Sequence, residues 1–203
     1  MEHIFKQGKE ENGPTLLLLH GTGGNERDLL PLAEMIAPDH SILGVRGNVS
    51  EHGMPRFFRR LAEGVFDEED LVFRTKELKE FIDECADKYG FDRTNVLAIG
   101  YSNGANIAAS MLYHYSDAIH GAILFHAMVP IRSVEMADLN GTPIFIGAGE
   151  TDPLIPAQET KELAADLEKS GAKVTEFWTK GGHQLTRDEV DQAAEWFKKN
   201  YKN

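Results

Sequence analysis

Ser102 lies in Gly100-Tyr101-Ser102-Asn103-Gly104, a G-x-S-x-G pattern between an apolar run and an amphipathic stretch. A serine on a sharp strand-to-helix turn projects its hydroxyl into a site and aims the helix N-terminus at the reacting centre. The flanking glycines fit such a turn, because larger residues would strike the adjoining strand and helix. A serine hydroxyl is a weak nucleophile until a base takes its proton. His183 is the candidate base: it follows Gly181-Gly182, in a loop able to bend back over Ser102. Imidazole accepts and returns a proton near neutral pH. The base in turn needs a carboxylate to fix its tautomer and stabilise the imidazolium. Asp152, in Gly149-Glu150-Thr151-Asp152-Pro153, is that candidate, with Glu150 as its local rival.

The other histidines compete less well. His3, His40, His52 and His114 lack motif context, and His120 precedes an apolar run. His126 follows one, where it is placed to line a pocket. Acyl transfer also requires N–H donors for the oxyanion, worth ~3–4 kcal/mol each. The amide of Asn103, just after the nucleophile, is one candidate. Thr22, within His20-Gly21-Thr22-Gly23-Gly24, is the other, because the surrounding glycines let its backbone approach a substrate closely. That glycine cluster fits neither G-x-G-x-x-G nor a P-loop. No H-E-x-x-H or cysteine cluster points to a metal, and no cofactor is expected.

These residues need a scaffold that gathers them. Apolar runs at 15–19, 41–45, 96–100, 121–125, 143–148 and 173–178 read as strands, several buried on both faces. A further edge strand is expected near 4–6. Between them, Leu71, Leu78, Phe81, Ile82, Cys85 and Tyr89 form a helical stripe that Gly90 ends. A second helix spans 157–170 and stops at Gly171. A third starts at Thr186, where Thr186-Arg187-Asp188-Glu189 has capping-box form. The alternation predicts an α/β fold, with a mostly parallel central sheet and helices on both faces. Sites in such sheets lie beyond the carboxyl ends of the strands. The segments carrying Thr22, Ser102, Asp152 and His183 all follow strands and should meet there.

Composition sets outer limits. The 203 residues suit one domain, read as 1–203, with 41% hydrophobic and 27% charged residues. A net charge of −12 argues against nucleic acid as a partner. The single cysteine, Cys85, excludes an intramolecular disulfide and reads as a buried thiol. The longest apolar run is far short of the ~20 residues of a membrane helix, and the first residues carry no signal pattern. The expectation is a cytoplasmic protein without stable membrane insertion. Oligomeric state is left open, a homodimer included.

The four motifs together resemble the phospholipase/carboxylesterase branch of the α/β-hydrolases, which includes acyl-protein thioesterases. They are His20-Gly21-x-Gly23-Gly24, Gly100-x-Ser102-x-Gly104, Gly149-x-x-Asp152-x-x-Ile155-Pro156 and Gly182-His183. Their order Ser…Asp…His is that of the fold. The resemblance spans roughly residues 14–200. It implies a hydrolase without a large lid domain, acting on small-molecule carboxylic esters. It carries over Ser102, Asp152 and His183 as the triad and Thr22 and Asn103 as oxyanion donors. Acyl-protein thioesterases usually have an apolar residue at Thr22 and Gln at Asn103, which argues against long-chain acyl-protein substrates.

The segment from Arg46 through Arg60 is more similar to small bacterial carboxylesterases, and relatives linked to hydroquinone or quinone stress imply aromatic esters. Phe57, Phe58, Phe66 and Met128 are candidate substrate contacts. Arg59 and Arg60 read as surface ion-pair partners of the nearby Glu63, Glu68 and Glu69 rather than as a carboxylate clamp. A thioesterase or lysophospholipase on the same residues, and a non-catalytic binding protein with this fold, are the alternatives.

Overall fold

A computed structural model describes residues 1–201. The chain runs β1 (His3–Lys6), β2 (Thr15–Leu19), α1 (Leu30–Ile36), β3 (Ile42–Val45), β4 (Val49–Glu51), β5 (Met54–Arg56), β6 (Arg60–Ala62) and β7 (Val65–Phe66). It continues through α2 (Glu68–Tyr89), β8 (Val96–Tyr101), α3 (Asn103–His114), β9 (Gly121–Phe125), β10 (Pro143–Gly149), α4 (Ala157–Lys169), β11 (Lys173–Thr179) and α5 (Arg187–Tyr201). Seven strands form one sheet in the order β1-β3-β2-β8-β9-β10-β11. Only β1 is antiparallel, against β3. The architecture is that of an α/β-hydrolase without a large lid.

Strand alternation sorts the core into two layers. Leu17, Leu19, Ala98, Leu124, Ile144 and Ile146 face α2, α3 and α4. Leu16, Leu18, Ile99, Ile123, Phe125 and Phe145 face α1 and α5. With both faces covered, β2 is buried at every residue, which is why its sequence reads as continuously apolar. Asp67 caps α2 by accepting the Asp70 N–H, and Gly90 ends it with a left-handed φ of 74°. Cys85 is buried on α2. The seven-residue α1 falls outside the predicted elements, because so short a helix offers barely two turns of periodicity. Among the described residues, no helix is long and apolar enough to cross a membrane.

The segment between β3 and α2 forms two small hairpins, β4–β5 and β6–β7, rather than an open loop. Their fold corrects part of the substrate-contact expectation. Phe57 and Phe58 are 1% and 0% exposed and pack into the α2–α3 core layer. As the hairpins cross the sheet's carboxyl edge, the link between them turns both rings inward. Phe66 meets Phe58 edge-on, with ring centroids 4.9 Å apart, and it does reach the cleft.

Candidate active site

Ser102 occupies the turn between β8 and α3 with φ 52° and ψ −113°. A non-glycine residue at positive φ stores backbone strain of roughly 1–3 kcal/mol. Close packing holds it there. A Cβ on Gly104 would collide with the carbonyls of Leu19 and His20, and one on Gly100 would come within 2.7 Å of Ala105. The Ser102 N–H donates to Phe125 O at 2.9 Å, fixing the turn to β9.

His183 Nε2 lies 2.9 Å from Ser102 Oγ. His183 Nδ1 lies 2.8 Å from Asp152 Oδ2. Nε2 therefore faces the hydroxyl while Nδ1 carries the proton to the carboxylate. The Asp152 Oδ1 atom accepts the N–H groups of Leu154 and Ile155 at 2.8 and 3.0 Å. Burial alone would raise the Asp152 pKa. The hydrogen bonds from His183, from these two amides and from His126 prevail, and the group titrates below the ordinary aspartate value. Glu150 is exposed, and Asp152 is the carboxylate in contact with His183.

The His183 loop is braced twice. Tyr101 Oη donates to the His183 carbonyl at 2.7 Å. Thr151 donates to Gly181 O through its N–H at 3.1 Å and its hydroxyl at 3.0 Å. Tyr101 is a variable position of the G-x-S-x-G pattern, so the motif gave no sign of this second task.

The Thr22 turn approaches Ser102 from β2. Among the described residues, the backbone N–H groups of Thr22 and Asn103 have no protein acceptor. Both stay available to an oxyanion. His20 Nε2 accepts the Gly47 N–H at 3.0 Å, so its proton sits on Nδ1, which donates to Gly21 O at 2.6 Å. Burial pushes the His20 imidazolium down, with the Gly21 carbonyl opposing, and its pKa falls below the ordinary value. A neutral His20 thus ties the Thr22 turn to the start of the hairpin segment. Arg56 adds a second tie, from Nη1 to Thr22 Oγ1 at 2.6 Å, and its Nε donates to Phe58 O at 3.2 Å. The Asn103 side chain accepts the Phe57 N–H at 2.7 Å.

A cleft of about 390 Å³ opens on Ser102. Thr22, Arg56, Arg60, Phe66, Asn106, Met128, Leu154 and Ile155 are among its lining residues. Phe66 and Met128 border the cleft, within reach of a molecule bound there. Arg60 Nε binds both Glu51 oxygens at 3.0 and 3.1 Å, and Arg59 pairs with Asp67 and Asp70, so both meet acids but in place of the expected Glu63, Glu68 and Glu69.

His126 does not line the cleft. Its side chain is fully buried behind the triad, with φ at 55°. Nδ1 lies 3.0 Å from Asp152 Oδ2. Nε2 lies 3.0 Å from Glu189 Oε1, an ion-pair distance but off the hydrogen-bond axis. Glu189 is itself fully buried, and its Oε2 accepts both the N–H and the hydroxyl of Thr186 at 2.8 Å. Burial would push the His126 imidazolium down, but Glu189 and then Asp152 outweigh it, and His126 titrates above the ordinary histidine value. Burial likewise opposes the Glu189 anion, yet His126 and Thr186 hold its pKa below normal. His126, Asp152 and His183 gather three ligand-type atoms within 4.8 Å. Asp152 Oδ2 already meets an imidazole Nδ1 on each side, so the cluster functions as a hydrogen-bond network.

The parallel sheet and the strained serine turn at its carboxyl edge define an α/β-hydrolase. The chain belongs to the phospholipase/carboxylesterase family: the family model described as Phospholipase/Carboxylesterase matches residues 2–201. A protein named putative hydrolase MhqD from Bacillus subtilis is 60% identical over 198 residues, 98% of each chain. A crystal structure of the Bacillus cereus carboxylesterase superposes with a TM-score of 0.97 at 60% identity, covering 98% of this chain and 94% of that one. Acyl-protein thioesterase 1 from Candida albicans is more distant, 28% identical over 131 residues, which cover 60% of this chain and 56% of that protein. The chain is an enzyme of the carboxylesterase type.

Proposed function

We propose that this carboxylesterase hydrolyses small-molecule esters through an acyl-enzyme on Ser102. The observation that carries the reading is the unbroken path Ser102 Oγ–His183–Asp152, at 2.9 and 2.8 Å, on a strained turn. His183 Nε2 takes the Ser102 proton as Oγ attacks the ester carbonyl, and the imidazolium leans on Asp152. The N–H groups of Thr22 and Asn103 receive the oxyanion. The tetrahedral adduct expels the alcohol, which leaves with the proton from His183. Water then gives a proton to His183, attacks the acyl carbon and releases the acid, restoring Ser102.

A cleft of about 390 Å³ bordered by Phe66, Met128 and Leu154 suits a small acyl or aryl group. Likeness to a thioesterase keeps a thioester in view as the second substrate class. Relative kcat/KM on matched oxygen and sulfur esters separates the two. The single buried Cys85 accords with a cytoplasmic setting, which cell fractionation tests.

Ser102→Ala should lower hydrolysis of p-nitrophenyl acetate at least ~10³-fold and abolish labelling by a fluorophosphonate, with the fold retained by circular dichroism. Undiminished turnover by the folded variant would overturn the reading.

A further inference from the structure

Asp152 Oδ2 faces two imidazoles, and only one of them is needed to activate a serine. The second, His126, follows β9 and is closed off from solvent on every side. Four polar or titratable groups face it. Asp152 comes from the turn after β10 and Glu189 from the first turn of α5. His183 follows β11, with ring centroids 5.3 Å away, and Tyr101 ends β8 at 5.9 Å.

The placement of two carboxylates 3.0 Å from the two ring nitrogens bears on the protonation of this cluster. A neutral imidazole has one N–H, so one of its nitrogens would turn a lone pair toward a carboxylate. The carboxylates cannot readily give up charge instead. Asp152 Oδ1 takes two backbone N–H groups, and Glu189 Oε2 takes an N–H and a hydroxyl. Donors converging on an oxygen favour its anion. With both acids ionised, a proton on each nitrogen of His126 is the arrangement that sets no lone pair against an anion. The buried set is then one cation between two anions, with one net negative charge left beside His183. That residual charge is offset when His183 becomes an imidazolium.

We propose that His126, held as a cation between Asp152 and Glu189, is a positioning residue of the triad. It orients Asp152 Oδ2 toward His183 and limits how strongly the buried acids attract a proton to that base. Glu189 keeps His126 charged, and Thr186 keeps Glu189 in place. This inference rests on the triad reading proposed above.

The first test uses resting enzyme labelled with ¹⁵N-histidine, the His126 signals being assigned by their loss in His126→Gln. Both ring nitrogens should show the protonated pattern at pH 7.5. A neutral-tautomer pattern at pH 6 would overturn the proposal. This readout needs no turnover, so it reports on His126 whatever a fluorophosphonate shows at Ser102.

The second test is kinetic. His126→Gln alone strands Glu189 as an unpaired buried charge and invites misfolding. The double variant His126→Gln/Glu189→Gln removes both charges together. We expect it to fold, to lose ~10–100-fold in kcat, as removal of an outer-shell partner does, and to keep KM within about twofold. The acid limb of its kcat/KM profile should move to higher pH by roughly half a unit or more, because the cation removed lies nearer His183 than the anion. A folded double variant with wild-type kcat and an unmoved acid limb would overturn the role. Glu189→Gln keeps the His126 ring and should let it lose a proton below pH 7. Retention of the doubly protonated pattern there would contradict the clamp.

Discussion

The two walls of the cleft are built by different forces. The acid wall presents His183 to the cleft, and behind it Asp152, His126 and Glu189 form a buried run of titratable groups spaced 2.8–3.0 Å apart and anchored on β9, β10 and α5. The acyl wall is a pair of small hairpins held by hydrogen bonds from Arg56 to Thr22 and from the Phe57 and Arg59 N–H groups to Asn103 and Asp70. Its tips stay in water, Leu61 being 73% and Val65 51% exposed. One wall is locked by electrostatics and the other by a few replaceable ties. Chemistry is therefore placed where the fold is least forgiving, and selectivity where it can change cheaply.

Substitutions should separate the walls. The largest effect is expected for Asp152→Asn, which leaves the shape but removes the charge that supports the His183 imidazolium. We expect kcat to fall by ~10³–10⁴ with KM nearly constant, read by steady-state kinetics. A loss below tenfold would mean that the acid wall does not drive the reaction.

Next comes Arg56→Met, which cuts the tie from the acyl wall to the Thr22 turn. A fall in kcat of ~10–50-fold is expected, since one imperfect oxyanion donor costs up to ~10²–10³. An unchanged kcat would show that His20 and the Gly23 N–H bond to Pro55 O hold the turn without Arg56.

The acid wall should also mark stability against pH. Asp152 and Glu189 titrate below their ordinary values, so their contribution is present above the unfolded carboxylate range and lost as pH falls through the lowered values. His126 titrates above its ordinary value, so its contribution is complete below ~6.5 and fades as pH rises through the raised one. Melting temperature should therefore be highest between about pH 5 and pH 6.5. The His126→Gln/Glu189→Gln variant should show a flatter curve. The smallest effect is expected at the hairpin tip. Leu61→Ser should leave turnover of an acetate ester unchanged and alter KM for a longer acyl chain by no more than about threefold, as surface changes do.

The sequence exposed these walls unequally. Strands β2, β8, β9 and β10 are legible because burial on both faces makes them apolar throughout. Ser102 and Asp152 are legible because each follows such a strand in a glycine-bearing turn, and His183 because it follows Gly181-Gly182 after the partly exposed β11. His126 also followed a strand, but nothing local separated a pocket histidine from a buried one. Its partner Glu189 was visible only as the acid of a capping box, and pairing across 63 positions has no periodic signature. Phe57 and Phe58 were misplaced for the opposite reason. Aromatics in an irregular segment carry no period, so only the course of the hairpins decides which way they face.

The carboxylate of Glu189 has two tasks. One oxygen starts α5 through Thr186, and the other meets the ring that steadies the triad. Helix ends are the first parts of a helix to fray on warming. Unwinding the opening turn of α5 would withdraw Glu189 while the rest of the sheet stays intact. The enzyme then carries its own thermal cut-out: turnover should break from its rising trend at a temperature where far-ultraviolet ellipticity is still native. The width of that interval measures how tightly the last helix grips its first residue.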